Sequence, residues 1–196
     1  MLNSISGAIE NLTAEDPPLR VAAAADIYHY GRDLAERATA AWWRDEELTR
    51  LLVSDKRNVT VGVAVRRETF ARIRDANGVP ELARVPPEQD AEEFELHFKD
   101  GVALDVLTSR EPGGEGAIAR FLQRFGEGVQ QVEFQCRDVE RATEILRERF
   151  GARAVYPAPR PGAGGTRINF FLLKVPGDAG ASGKILIELY QKQETP

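Results

Sequence analysis

Two apolar runs each open a strand–helix–strand succession, and each succession closes on an apolar strand carrying one acid. Residues 59–65 (VTVGVAV) open the first, and 130–136 (QQVEFQC) open the second. The closing strands are Leu104-Asp105-Val106-Leu107 and Leu186-Ile187-Glu188-Leu189. A strand shows its side chains to alternate faces, so an acid inside an apolar strand faces a pocket or a partner rather than bulk water. The repeat therefore constrains the chain to two similar α+β modules, each with one acid at a matched place.

The intervening segments repeat the same order. In the first module, residues 66–76 read as a helix stopped by Asn77-Gly78, 81–85 as a short strand and 91–98 as an alternating strand. Asp100-Gly101 is a hairpin signal leading to a strand at 102–108. In the second, the opening strand spans 129–136 and a helix spans 138–149, with Asp138 as its N-cap and Gly151 closing it. Strands follow at 153–157, 166–174 and 184–190. Between the modules, residues 111–116 (EPGGEG) form a turn-rich linker into a short helix at 117–125. Residues 1–57 read as a helical extension with helices at 18–38 and 40–54, the first started by Asp16-Pro17-Pro18 and bent or broken by Gly31. The pair Trp42-Trp43 faces two directions, so at least one indole packs beyond its own helix.

The stretches 117–134 (AIARFLQRFGEGVQQVEF) and 164–191 resemble the vicinal-oxygen-chelate superfamily, and within it methylmalonyl-CoA epimerases and glyoxalase-like proteins. The resemblance covers residues 58–192. It implies an α+β fold in which two βαβββ modules, 58–110 and 128–192, form an incomplete mixed β-barrel, with a ligand cavity between them. It also implies a homodimer.

In that superfamily the opening and closing strands of each module supply metal ligands, and the opening strands usually contribute histidine. Position by position, the resemblance places the ligand set on Thr60, Asp105, Gln131 and Glu188. The acids are kept and the histidines are not. Imidazole suits zinc and its neighbours, whereas carboxylate and amide oxygens suit magnesium, manganese or calcium. The implied cofactor is thus a hard divalent ion or none. The chain's own histidines, His29 and His97, read as surface or structural residues.

Three functions remain open. In the first, the chain binds a small molecule at a degenerate metal site without catalysis. In the second, it is an isomerase or lyase moving a proton alpha to a thioester carbonyl, for which the resemblance assigns Glu88 and Glu188 as bases and acyl-CoA as ligand. In the third, the N-terminal helices mediate dimerisation or capture a partner. The glycine-rich run at 162–165 lacks the Lys-Ser/Thr of a phosphate loop and leads into a strand. Arg160 and Arg167 beside it are candidates for contacting a carboxylate or phosphate on a ligand.

Bulk properties narrow the field. With 196 residues, 42% hydrophobic and 29% charged, the chain can bury a substantial core. A formal charge of −5 with interspersed signs gives no basic field for a nucleic-acid backbone. No apolar run is long enough to span a bilayer. The single cysteine, Cys136, rules out an internal disulfide and reads as an inert buried thiol, and the default location is the cytoplasm.

Overall fold

A computed structural model describes residues 4–53, 59–177 and 183–192. The expected start of the first module at Asn58 lies outside the described residues. The chain divides into two compact units, Met1–Gly31 with Thr60–Gln130 and Arg32–Val59 with Gln131–Pro196.

The first unit begins with helix α1, Ile5–Asn11, capped by the Ser4 hydroxyl, which accepts from the Gly7 amide at 3.2 Å. Helix α2, Pro17–Ala38, starts where Asp16-Pro17-Pro18 signalled. It contributes to the first unit up to Gly31 and to the second from Arg32 onward. Gly31 neither breaks nor bends it out of helical form. A Cβ there would lie 2.5 Å from Val61 Cγ1, so the glycine serves close packing of the helix on a strand.

Strand β1, Thr60–Ala64, runs parallel to β3, Ala103–Thr108, and β3 pairs antiparallel with β2, Glu92–His97. Helix α4, Arg67–Ala76, lies between β1 and β2 in the chain (α3 is described below) and buries Phe70 and Ile73. The rings of Phe70 and Phe94 meet edge-on at 4.8 Å. Asp100 and Gly101 both take positive φ, and Phe98 N–H donates to Val102 O at 2.8 Å, so the hairpin stands as read. The expected strand at 81–85 does not form. Pro80, Pro86 and Pro87 bring no amide hydrogens, and Ala83 N–H makes a single ladder-like bond to Glu93 O.

In the second unit a 3-10 turn, Trp42–Arg44, leads to helix α3, Glu46–Leu51. Helix α5, Ala117–Phe125, which belongs to the first unit, matches its expected span and precedes strand β4, Gly128–Gln135, most of which belongs to the second unit. Helix α6, Val139–Phe150, is capped by the Asp138 carboxylate at 2.8 Å from the Arg141 amide and ends at Gly151 in the left-handed region. Strands β5, Arg160–Pro161, β6, Arg167–Lys174, and β7, Lys184–Gln191, complete this unit. β7 runs parallel to β4 and antiparallel to β6, whose other edge carries β5.

A strand at 153–157 is replaced by one bridge, Ala154 to Phe171, because Pro157 and Pro159 lack donors and the Tyr156 amide turns to the Asn169 side chain. Trp42 is buried against Phe134 and Phe171, and Trp43 also meets Phe134, so both indoles pack within this unit. Among the described residues, no helix is long and apolar enough to cross a membrane.

Candidate functional site

The second unit has one apolar and one polar sheet face. Val132, Phe134, Phe171, Ile187 and Leu189 are buried on the side that carries α6 and Trp42. Strand alternation sends Gln131, Glu133, Phe170 and Glu188 to the opposite side, where register sets Glu133 and Phe170 on either flank of Glu188. Gln131 is buried, and its amide Nε2 donates to Glu188 Oε2 at 2.9 Å and to Glu133 Oε1 at 3.1 Å. One neutral amide thus bridges two carboxylates.

Tyr156 extends this face. The Asn169 side chain clamps its backbone, accepting from the Tyr156 amide at 3.3 Å and donating to the Tyr156 carbonyl at 3.3 Å. Its ring meets Phe170 edge-on at 5.8 Å, and the Arg160 guanidinium carbon lies 3.6 Å from the ring centroid. Burial raises the Tyr156 phenol above its ordinary value; the Arg160 charge opposes that and the Glu188 charge adds to it. Tyr156 and Glu188 are therefore electrostatic neighbours. Arg160 Nε is buried with no hydrogen-bond acceptor among the described residues.

Arg167 lies on the other face. Pairing sets Arg160 beside Ile168 and Arg167 beside Pro161, and Arg167 bonds the Glu140 carboxylate of α6 and the Pro159 carbonyl at 3.2 Å. The two arginines do not converge on one ligand.

In the first unit, Asp105 is buried on β3 with Gly62 as its β1 partner and Glu95 as its β2 partner. Gly62 thus holds the register place that Glu133 holds beside Glu188, and Thr60 matches Gln131. Alternation adds Glu93, Glu95 and His97 to the Asp105 face. His97 Nε2 lies 2.7 Å from Glu95 Oε2 at the surface, and His29 is exposed. Burial foremost, then the neighbouring Glu95, pushes Glu93 up to about 7 against the opposing charge of Arg110. Glu88 is exposed on a 3-10 turn, Pro87–Gln89. Cys136 is buried and its thiol is pushed up to about 12, chiefly by desolvation, which suits the inert reading.

Thr60, Asp105 and Glu88 belong to the first unit; Gln131, Glu188, Arg160 and Arg167 belong to the second. Glu133 and Tyr156 were not singled out from sequence. Glu133 was within reach, since period-two alternation from Gln131 leads directly to it. No sequence signal marks Tyr156.

A zinc-type metal does not fit the second unit's donors, which include neither imidazole nor thiolate. The Gln131 NH2, which cannot coordinate a cation, fills the space between the two carboxylates. Turned over, the amide would present its oxygen instead, a donor suited only to a hard cation. Among the described residues, no three His, Cys, Asp or Glu side chains converge as a metal-ligand group.

The strand arrangement is the vicinal-oxygen-chelate, or glyoxalase, fold, as the sequence resemblance implied. Solved structures similar to this chain include methylmalonyl-CoA epimerases. One, from Mycobacterium tuberculosis, is 28% identical with a TM-score of 0.53 over 68% of this chain and 86% of that one. A Streptomyces coelicolor variant in complex with 2-nitronate-propionyl-CoA is 25% identical, TM-score 0.51, over 68% and 94%. A further epimerase, in complex with methylmalonyl-CoA and ammonium, is 25% identical, TM-score 0.52, over 69% and 93%. No protein-family model matches the chain. No curated protein matches it either.

Proposed function

We propose that the protein binds a small acyl thioester of the acyl-CoA class through the polar face of its second unit, without a metal-dependent reaction. The observation that carries this reading is the Gln131 amide shared between Glu188 and Glu133. Glu188, fixed by that amide, is placed to accept an N–H or O–H of a ligand. Where a metal would polarise a thioester carbonyl, the residues of this unit offer neutral donors and an aromatic wall. The several kcal/mol a Lewis acid supplies is not replaced by them. The acyl-CoA class rests on the ligands named in the similar epimerase structures.

Calorimetry with methylmalonyl-CoA and propionyl-CoA tests the reading, paired with proton NMR of the alpha carbon in deuterium oxide. Saturable binding with no deuterium incorporation above the protein-free control is expected. No heat of binding would refute the proposal.

A second reading is epimerisation by Glu88 and Glu188, favoured by the likeness to epimerases and by the retention of both carboxylates. It predicts alpha-deuterium incorporation that disappears in Glu88→Gln and in Glu188→Gln.

A further inference from the structure

We propose that the loop following α6 forms a site for a doubly charged phosphate group, built on Arg147 and Arg153. A cavity of about 350 Å³ opens here, lined by Arg147, Gly151, Arg153, Tyr156 and Pro157 among others. That volume is at the small end of ligand sites and has room for a phosphate with part of the group bearing it.

The walls are held in place before any ligand arrives. Gly151 takes the left-handed conformation that ends α6, and Ala152 N–H returns to Leu146 O at 2.9 Å. Val155 N–H donates to Phe170 O at 2.7 Å, and Asn169 clamps Tyr156 on both sides. Arg147 Nη1 donates to Pro157 O at 3.0 Å, which fixes its guanidinium at the rim and leaves its other hydrogens for a ligand.

The charges set this place apart from the rest of α6. Arg141 is neutralised by Glu47 and Glu144, Arg149 by Asp45 and Glu47, and Arg167 by Glu140. Among the described residues, Arg147 and Arg153 have no carboxylate partner. The last-turn position of Arg147 complements the helix carbonyls and accounts for one positive charge. It does not account for Arg153, which lies past the helix end. Two guanidiniums around one cavity match a doubly charged tetrahedral oxyanion, to which arginine donates paired hydrogen bonds.

Such a phosphate has two sources, free inorganic phosphate or a phosphate carried on a larger ligand such as coenzyme A. Titration of the full chain with inorganic phosphate at constant ionic strength, following amide resonances of residues 151–156, tests the site itself. Saturable shifts are expected, with at least tenfold weaker binding in Arg153→Gln and in Arg147→Gln. Arg153 is exposed, so its variant leaves the fold intact, and Arg147→Lys should recover part of the loss. Phosphate binding equal in wild type and Arg153→Gln overturns the proposal. Coenzyme A and dephospho-coenzyme A then assign the source. A tenfold preference for coenzyme A that vanishes in Arg153→Gln identifies a ligand-borne phosphate. Equal binding of the two, with arginine-dependent phosphate binding retained, identifies the free ion. Arginine-dependent phosphate binding in a chain that binds neither coenzyme keeps this site and rejects the acyl-CoA reading.

Discussion

Replacing Glu93 with glutamine should change how stability depends on pH, and the direction follows from its surroundings. Glu93 stands on β2 beside Glu95, with Leu107 as its cross-strand partner, and burial raises it from an ordinary value of 4.5 to about 7. Because the folded value lies above the unfolded one, the folded chain holds this proton more tightly. The protonated carboxyl is tolerated in full below pH 4.5. As pH climbs from there through 7, the folded state gives up a proton the unfolded chain has already lost, and stability falls. The displacement corresponds to a loss on the order of 3 kcal/mol, since each pKa unit is about 1.4 kcal/mol. Glutamine has the shape of the protonated acid and does not titrate. Urea unfolding of both proteins at half-unit steps from pH 4 to 8.5 follows Glu93 together with the neighbouring Glu95 that titrates with it, while the titrations of distant groups cancel in the difference. The variant should match wild type near pH 4 and exceed it by roughly 2 to 3 kcal/mol at pH 8. A difference that stays flat across that range would refute the reasoning.

Other outcomes follow from single contacts. Asp138→Ala removes the cap of α6 and should cost about 1 kcal/mol in thermal or urea unfolding. Gly31→Ala should destabilise by about 1 to 3 kcal/mol despite alanine's better helix propensity, and adding Val61→Ala should recover part of it in a double-mutant cycle. Gln131→Leu leaves Glu133 and Glu188 without their bridging donor and should weaken acyl-CoA binding at least tenfold by calorimetry. Protein prepared without chelator should contain substoichiometric divalent metal by elemental analysis; one ion per chain that is lost in Glu188→Gln would overturn the argument from the Gln131 amide.

The repeat was legible because period-two alternation and turn chemistry are local properties. Asp138, Gly151 and Asp100-Gly101 act within their own segments, and each took the form the sequence indicated. The failures share a cause that sequence pattern conceals. Residues 81–85 and 153–157 have strand-like side chains, yet nearby prolines deny them ladder donors, and an Asn169 side chain claims the Tyr156 amide. Gly31 read as a helix breaker because its reason, the Val61 side chain, comes from a distant strand. Within the candidate site, Gln131 and Glu188 were placed by their strands. Their direct bond and the addition of Glu133 depend on parallel register, which no local signal fixes.

The division of the N-terminal helices has a practical consequence for anyone shortening this protein. Ala8, Ile9 and Leu12 sit in the interior of one unit, while Trp42, Leu48 and Leu52 sit in the interior of the other. A recombinant fragment starting at β1 would bare greasy surface on each half at once. It would be expected to precipitate rather than behave as a minimal ligand-binding core.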